Sequence, residues 1–257
     1  MNRFQTLKLF SRTRTGLISE IGFVSLIYFY LIIVFPLFRS NIFIQITAVT
    51  GLMLFILHPL LISDWLHSDS WKTRGIGNWR NGFIRKDNFR KSSKTVLLIV
   101  TPILLLGIFI IALLSGSLWT PGKSGVSGWL MDLLFPGADS LFINLLVKLI
   151  FYLLWGFFQQ LLFLTFIQVR LADLFKASSH RKLKVVLISG IIFSLYHLPN
   201  IPLMLFTWVA GTLWACCYYE TPNLFTVSIS HGICGTVSSI FVFNSGLDMN
   251  VGLIHFL

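Results

Sequence analysis

Three groups of polar residues interrupt long apolar stretches of this sequence. They are Gln159-Gln160, the run Phe193-Ser194-Leu195-Tyr196-His197, and Ser228, Ser230 and His231. A polar side chain within hydrocarbon is costly unless something bonds it, so such residues mark where a membrane protein binds a ligand or does chemistry. Imidazole can accept a proton near neutral pH, since its ordinary pKa lies near about 6.5. A carboxamide donates and accepts hydrogen bonds but has no useful basicity there. Rise along a helix places Gln160 about 15 Å above Arg170, His197 about 20 Å above Lys184 and His231 about 14 Å above Pro222. The three groups therefore share one slab of a bilayer, where two imidazoles and two carboxamides could converge on a buried polar pocket. The simpler reading makes each polar group glue between neighbouring helices.

Such a slab requires helices that cross a membrane. Of 257 residues, 55% are hydrophobic and 11% charged, whereas about a quarter of a soluble domain is charged. Apolar runs extend over Ile21 to Phe38, Ile42 to Ser63, Val96 to Ser115, Leu141 to Gln168, Lys184 to Leu198, Ile201 to Tyr218 and Leu224 to Phe243. They predict an all-α polytopic bundle of about seven spans, because lipid offers the backbone no hydrogen-bond partners and the alternation of a membrane β-barrel is absent. The first run lacks a small-residue cleavage pattern and reads as a retained span. No internal repeat or second domain interrupts 1–257, which reads as a single integral membrane domain.

Twenty Lys and Arg against nine Asp and Glu give a formal charge of +11. On so apolar a chain this points to loops on the cytoplasmic side of a membrane and away from nucleic acid. With the N-terminus inside, the outer connections carry Arg39 and Lys123, and the inner segments carry the other basic residues apart from Lys148. Lys148 is expected to snorkel to the outer interface. Arg170 counts among the loop charges of the inner side, and Glu20, Asp64, Asp69 and Asp87 among its interfacial residues. The inner loop from Asp64 to Thr95 interleaves Trp65, Trp71, Trp79 and Phe83 with basic residues, as suits a segment lying on anionic headgroups. Membrane lipids are thus the first expected partners. The outer loop from Gly116 to Asp139 reads as irregular. The tail from Ser245 to Leu257 is apolar and either lies on the surface or forms a partial span.

No metal or other cofactor is expected. His58, Asp64, His67 and Asp69 straddle a helix end at a spacing that matches no standard site. His197 and His231 with two amides are a poor zinc set, even with Cys234 on the same helix face as His231. Cys216, Cys217 and Cys234 are too few and too clustered for a disulfide framework. Packing is their simplest role, with S-acylation of Cys216 and Cys217 as the alternative. Gly156, Gly190, Gly211, Gly232 and Gly235 fall on the helices of the expected pocket, where small residues let membrane helices approach closely. Pro199 and Pro202 enforce a tight turn that sets the fifth and sixth spans side by side.

The segment Gln159-Gln160-Leu161-Leu162-Phe163-Leu164, then Phe193-Ser194-Leu195-Tyr196-His197-Leu198-Pro199-Asn200, then Tyr219-Glu220-Thr221-Pro222-Asn223-Leu224 leading to His231, resembles the CPBP family of glutamate-type intramembrane proteases. That family includes the endopeptidases that trim prenylated CAAX proteins. The likeness covers about residues 153–239. The family's pattern is Glu-Glu-x-x-x-Arg, then Phe-x-x-x-His, then His-x-x-x-Asn, on successive membrane helices. Phe193, His197 and His231 keep the family's identities. Gln159 and Gln160 stand in place of the glutamates, Leu164 in place of the arginine and Gly235 in place of the final asparagine. In the family the glutamate activates water, while the histidines and asparagine position it and stabilise the oxyanion. Loss of a positioned general base costs about 10²- to 10⁴-fold in rate. Replacing the arginine follows, because an unpaired buried cation is a liability once its anion is gone.

Three functions remain open. A pseudoprotease would hold a prenylated or transmembrane peptide beside Phe193, Gln159, Gln160, His197 and His231 without cutting it. A working endopeptidase would use His197 or His231 as its base, or the Gln pair to position water. A transporter ranks last, for want of an inverted repeat or a charged pathway. The resemblance and the compactness of the chain imply a prokaryotic inner membrane.

Overall fold

The computed structural model describes residues 3–31, 42–67, 75, 86–114, 141–198 and 200–241. Among these residues the regular structure is entirely helical. Two helices, α1 (Arg3–Ser11) and α2 (Arg14–Phe29), are joined at Thr13, whose hydroxyl caps α2 by accepting from the Gly16 backbone amide at 3.1 Å. Next comes α3 (Ile42–Leu57), which passes through a π-helical turn at His58–Ile62 into the short α4 (Ser63–His67). Helix α5 (Lys86–Thr95) runs through a second π-helical turn, Val96–Val100, into α6 (Thr101–Leu114). Helix α7 (Leu141–Gln160) continues through the longest π-helical segment, Leu161–Gln168, into α8 (Val169–Leu174). The bundle is completed by α9 (Arg181–Leu195), α10 (Ile201–Glu220) and α11 (Leu224–Phe241).

Among the described residues, three continuous helices are long and apolar enough to cross a membrane: Asn88–Leu114, Leu145–Leu174 and Ile201–Glu220. Their outer faces carry Leu98, Ile103, Leu106, Ile150, Leu154, Leu205 and Val209, all exposed, as lipid-facing residues should be. The expected outer loop, Asp69, Trp71, Trp79, Phe83, Pro199 and the tail lie outside the described residues.

Two pairings dominate the packing, α7 with α11 and α9 with α10. Both depend on glycine. A Cβ on Gly190 of α9 would lie 2.1 Å from Thr212 Oγ1 and 3.0 Å from the Thr212 backbone nitrogen. One on Gly232 of α11 would lie 2.9 Å from the Leu153 Cα. Backbones this close are open only to glycine, as expected for small residues between membrane helices.

Polar groups fix the rotation of α11. Its first amide, Leu224, donates to the Gly75 carbonyl at 3.0 Å, and Gly75 itself has a φ of 64°. Thr226 pairs with Ser92 at 2.5 Å, and Thr101 donates to Ser230 at 2.8 Å, tying α11 to α5 and α6. At the N-terminus of α10, the Asn200 side chain accepts from the Leu203 amide at 3.0 Å, with Pro202 in the first turn. This is the cap chemistry that starts a helix directly after a turn.

The structure revises four placements. Helix α7 does not stop at Gln168 but continues through α8 to Leu174. Lys148 does not extend along the surface of the bundle: it is buried, on the same i+4 row as Tyr152 and Gly156, which faces α11. Arg170 and Glu20 are not solvated charges of a loop and an interface. Arg170 is fully buried and donates through Nε and Nη2 to Ser63 Oγ at 3.2 and 3.0 Å, and through Nη1 to Asp173 at 3.1 Å. Its Nε lies 3.9 Å from the carboxylate of buried Glu20. That carboxylate accepts from His67 Nε2 at 2.7 Å and lies 3.5 Å from His58 Nε2. Charges removed from water survive where opposite charges and donors surround them, and here α2, the α3–α4 unit and α8 supply them together.

Candidate functional site

The site is built on the last turn of α7, the end of α9 and the middle of α11. Gln160, 1% exposed, donates from Nε2 to Nδ1 of His231 at 3.0 Å. An amide nitrogen can only donate, so His231 accepts at Nδ1 and carries its proton on Nε2. The pair meets because α7 and α11 touch at Gly156, where a Cβ would lie 3.2 Å from both Cβ and Cγ of His231.

His231 is held on its other faces by aromatic rings. Trp214 of α10 stacks on it with centroids 4.9 Å apart and an interplanar angle of 17°. The Trp214 indole also donates to the Ser230 hydroxyl at 2.9 Å, so a single side chain contacts both the ring and the residue before it. Phe193 of α9 meets His231 edge-on at 5.8 Å and His197 at 5.1 Å, and thus links the two imidazoles. Gly211 of α10 makes room for it, since a Cβ there would lie 2.7 Å from the Phe193 ring. His197 Nδ1 donates to the Phe193 carbonyl at 2.9 Å, which leaves its Nε2 as the acceptor atom. Among the described residues, His197 hydrogen-bonds neither Gln160 nor His231, and it meets His231 across the ring of Phe193. Tyr196, its neighbour, receives the Tyr28 hydroxyl on its carbonyl at 2.9 Å and docks α9 against α2.

The other motif positions are filled by packing. Leu164 is 2% exposed and belongs to the main apolar core. A Cβ at Gly235 would lie 2.6 Å from the Tyr152 ring, so a tyrosine of α7 occupies the space a larger residue would need. Gln159 is buried beside Gln160 at the end of α7. No carboxylate comes within 4.0 Å of His197 or His231 among the described residues: Asp173 is engaged by Arg170, Glu220 by Lys182 at 2.5 Å, and Glu20 lies in the separate cluster with His58 and His67. Among the described residues no group of three or more His, Cys, Asp or Glu is placed to hold a metal ion. Cys234 is buried and its thiol is free, as are those of Cys216 and Cys217.

Three contributors escape a reading of motifs alone: Trp214, Tyr152 and Thr101. Trp214 carries a signal, because tryptophan in membrane helices favours the interface and here stands well inside a run of apolar residues. Tyr152 stands at i+4 to Gly156 on a helix whose partner was already suspected from its glycines, so helical spacing points to it as well.

Comparison with known proteins locates the same helices. Residues 139–237 match the family described as Type II CAAX prenyl endopeptidase Rce1-like. No curated protein and no solved structure matches the chain. The matched segment begins just before α7 and ends within α11, and so contains Tyr152, Gln160, Phe193, His197, Trp214 and His231. With membrane-crossing helices and a motif order that agree with that match, the chain is an integral membrane protein whose residues 139–237 are similar to the Rce1-like type II CAAX prenyl endopeptidases.

Proposed function

We propose that this protein is a pseudoprotease: a bundle of about seven spans that binds a prenylated or transmembrane peptide beside Phe193, Gln160, His197 and His231 without hydrolysing it. The observation that carries the reading is the direction of one hydrogen bond. Gln160 donates to His231 Nδ1, whereas a glutamate there would accept from it and could take a proton from water. A carboxamide can hold an imidazole but cannot act as a general base. Two further positions support the same reading. The site for a cationic partner holds Leu164 inside the apolar core, and the site for an oxyanion donor holds Gly235 under the Tyr152 ring. The N-terminus is taken to be cytoplasmic and the membrane a prokaryotic inner membrane.

One observation favours an alternative, a working endopeptidase with histidine as base. His197 spends its Nδ1 proton on the Phe193 carbonyl, so the lone pair at Nε2 is the basic atom.

Reconstituted full-length protein separates the readings. With a prenylated CAAX peptide as substrate, the unchanged chain is expected to bind without cleavage. The double variant Gln160→Glu/Leu164→Arg is expected to gain peptide-bond hydrolysis, by roughly the 10²- to 10⁴-fold that a positioned general base provides. Cleavage by the unchanged chain that disappears in His197→Ala would establish the enzyme instead. Absence of peptide binding in every form would remove both readings.

A further inference from the structure

A cavity of about 350 Å³ opens at the end of the bundle where α1, α2, α4 and α8 meet, away from the Gln160–His231 pair. Its walls are Arg12, Arg14, Leu17, His67, Asp173, Leu174 and Lys176. The volume lies at the small end of the range for ligand sites, roughly 300–1,000 Å³. Among the described lining residues, Arg12, Arg14 and Lys176 are cations, and the carboxylate of Asp173 is already engaged by Arg170 at 3.1 Å. His67 is held in place by Glu20 at 2.7 Å. Arg12 is oriented by a hydrogen bond from Nη2 to the His67 carbonyl at 3.2 Å. Arg14 and Lys176 form no ion pair among the described residues, although Asp173 shares their cavity. Buried Glu20 and Arg170 stand behind this wall and fix the helices that bear it.

We propose that this cavity binds a phosphate-bearing anion, with Arg12, Arg14 and Lys176 as its ligands. Guanidinium groups present a planar fork that fits phosphate oxygens, and a lysine adds a point charge that needs no fixed geometry. The apolar walls Leu17 and Leu174, with Leu9, Phe10 and Ile18 exposed on the adjoining helices, suit the glycerol and acyl portions of a phospholipid. The headgroup of an anionic phospholipid is therefore the favoured source, and free phosphate the other. The site lies apart from the peptide site proposed above and does not depend on it.

The test uses purified full-length protein in neutral detergent. It is titrated separately with phosphatidylglycerol, phosphatidylcholine and inorganic phosphate, and thermal stability and lipid retention in native mass spectrometry are read. The variant Arg12→Gln/Arg14→Gln/Lys176→Gln is compared with Arg90→Gln/Lys91→Gln/Lys94→Gln, which removes equal charge from exposed positions of α5. Saturable phosphatidylglycerol binding is expected in the unchanged chain and the α5 variant. It should be about 100-fold weaker in the cavity variant, from roughly 1 kcal/mol per basic residue at an anionic surface. Phosphate that saturates and competes with the lipid supports the site and names the free anion as able to fill it. Equal weakening in both variants, or no preference for phosphatidylglycerol over phosphatidylcholine with no effect of phosphate, overturns the proposal. Because Arg12 also holds α4, the cavity variant could fail to fold. Phosphatidylglycerol with a photoreactive headgroup is then applied to the unchanged chain. Crosslinks to residues 12–17 and 173–176 support the site, and crosslinks elsewhere overturn it.

Discussion

Two buried polar regions of this molecule handle charge in opposite ways. Around Gln160 and His231 the groups are neutral: an amide donates to an imidazole, and tryptophan and phenylalanine rings enclose it. Around Glu20 and Arg170 the charges are kept, with His67, His58, Ser63 and Asp173 surrounding them. The difference teaches where burial of charge is sustainable. At the second region α2, the α3–α4 unit and α8 bring donors and acceptors to one point, so each ion has company. At the first, no second ion is present among the described residues. An acid there would need a cation, and position 164 offers a leucine. Neutrality at Gln160 and Leu164 is one coupled condition, which is why a single restoring substitution is a poorer experiment than the pair.

Breaking the charged region should have the largest effect. Arg170→Met removes a fully buried cation and leaves Glu20 and Asp173 without it. A loss of about 3–5 kcal/mol is expected, read as a fall in thermal unfolding midpoint in detergent. Adding Glu20→Gln should restore much of that loss, whereas no recovery would mean that the two are not energetically linked. The neutral region should respond less. Gln160→Leu keeps the volume but leaves His231 Nδ1 without its donor, at an expected cost of about 1–2 kcal/mol, measured the same way. A loss as large as that of Arg170→Met would contradict the contrast drawn between the regions. The smallest effect belongs to the exposed pair Lys182–Glu220, 2.5 Å apart. The hydrogen bond that Lys182 donates to the Glu220 carboxylate raises the Lys182 pKa above its usual 10.5 and lowers that of Glu220. Whatever it contributes is therefore complete at neutral pH and fades as pH rises through that raised lysine value or falls through the lowered carboxylate value. Lys182→Gln should leave the thermal midpoint at neutral pH unchanged within error, as exposed ion pairs in high dielectric commonly do.

Much of the candidate site could be read along the chain. Apolar runs broken by Gln159-Gln160, His197 and His231 named the helices. Rise per residue put those side chains at one level, and the glycines named the faces that touch. Gln160 and His231 do meet, and Gly156, Gly190, Gly211, Gly232 and Gly235 do stand at close contacts. These features are local: helical periodicity follows from the backbone's need to bond itself in lipid, and a glycine declares its missing side chain wherever it stands.

Partnership across the fold was not readable in this way. Arg170 looked like one more basic residue at the end of a span, and Lys148 like a snorkelling lysine, yet both are buried. Their fate depends on which residues distant in sequence arrive beside them: Glu20 and Ser63 for Arg170, and the α11-facing row of α7 for Lys148. The same holds for Trp214 on His231 and for Tyr152 over Gly235. A charge or a ring in one segment carries no mark of its partner in another. The free energy of burying it is a property of the pair, and the pair exists only once the helices have packed.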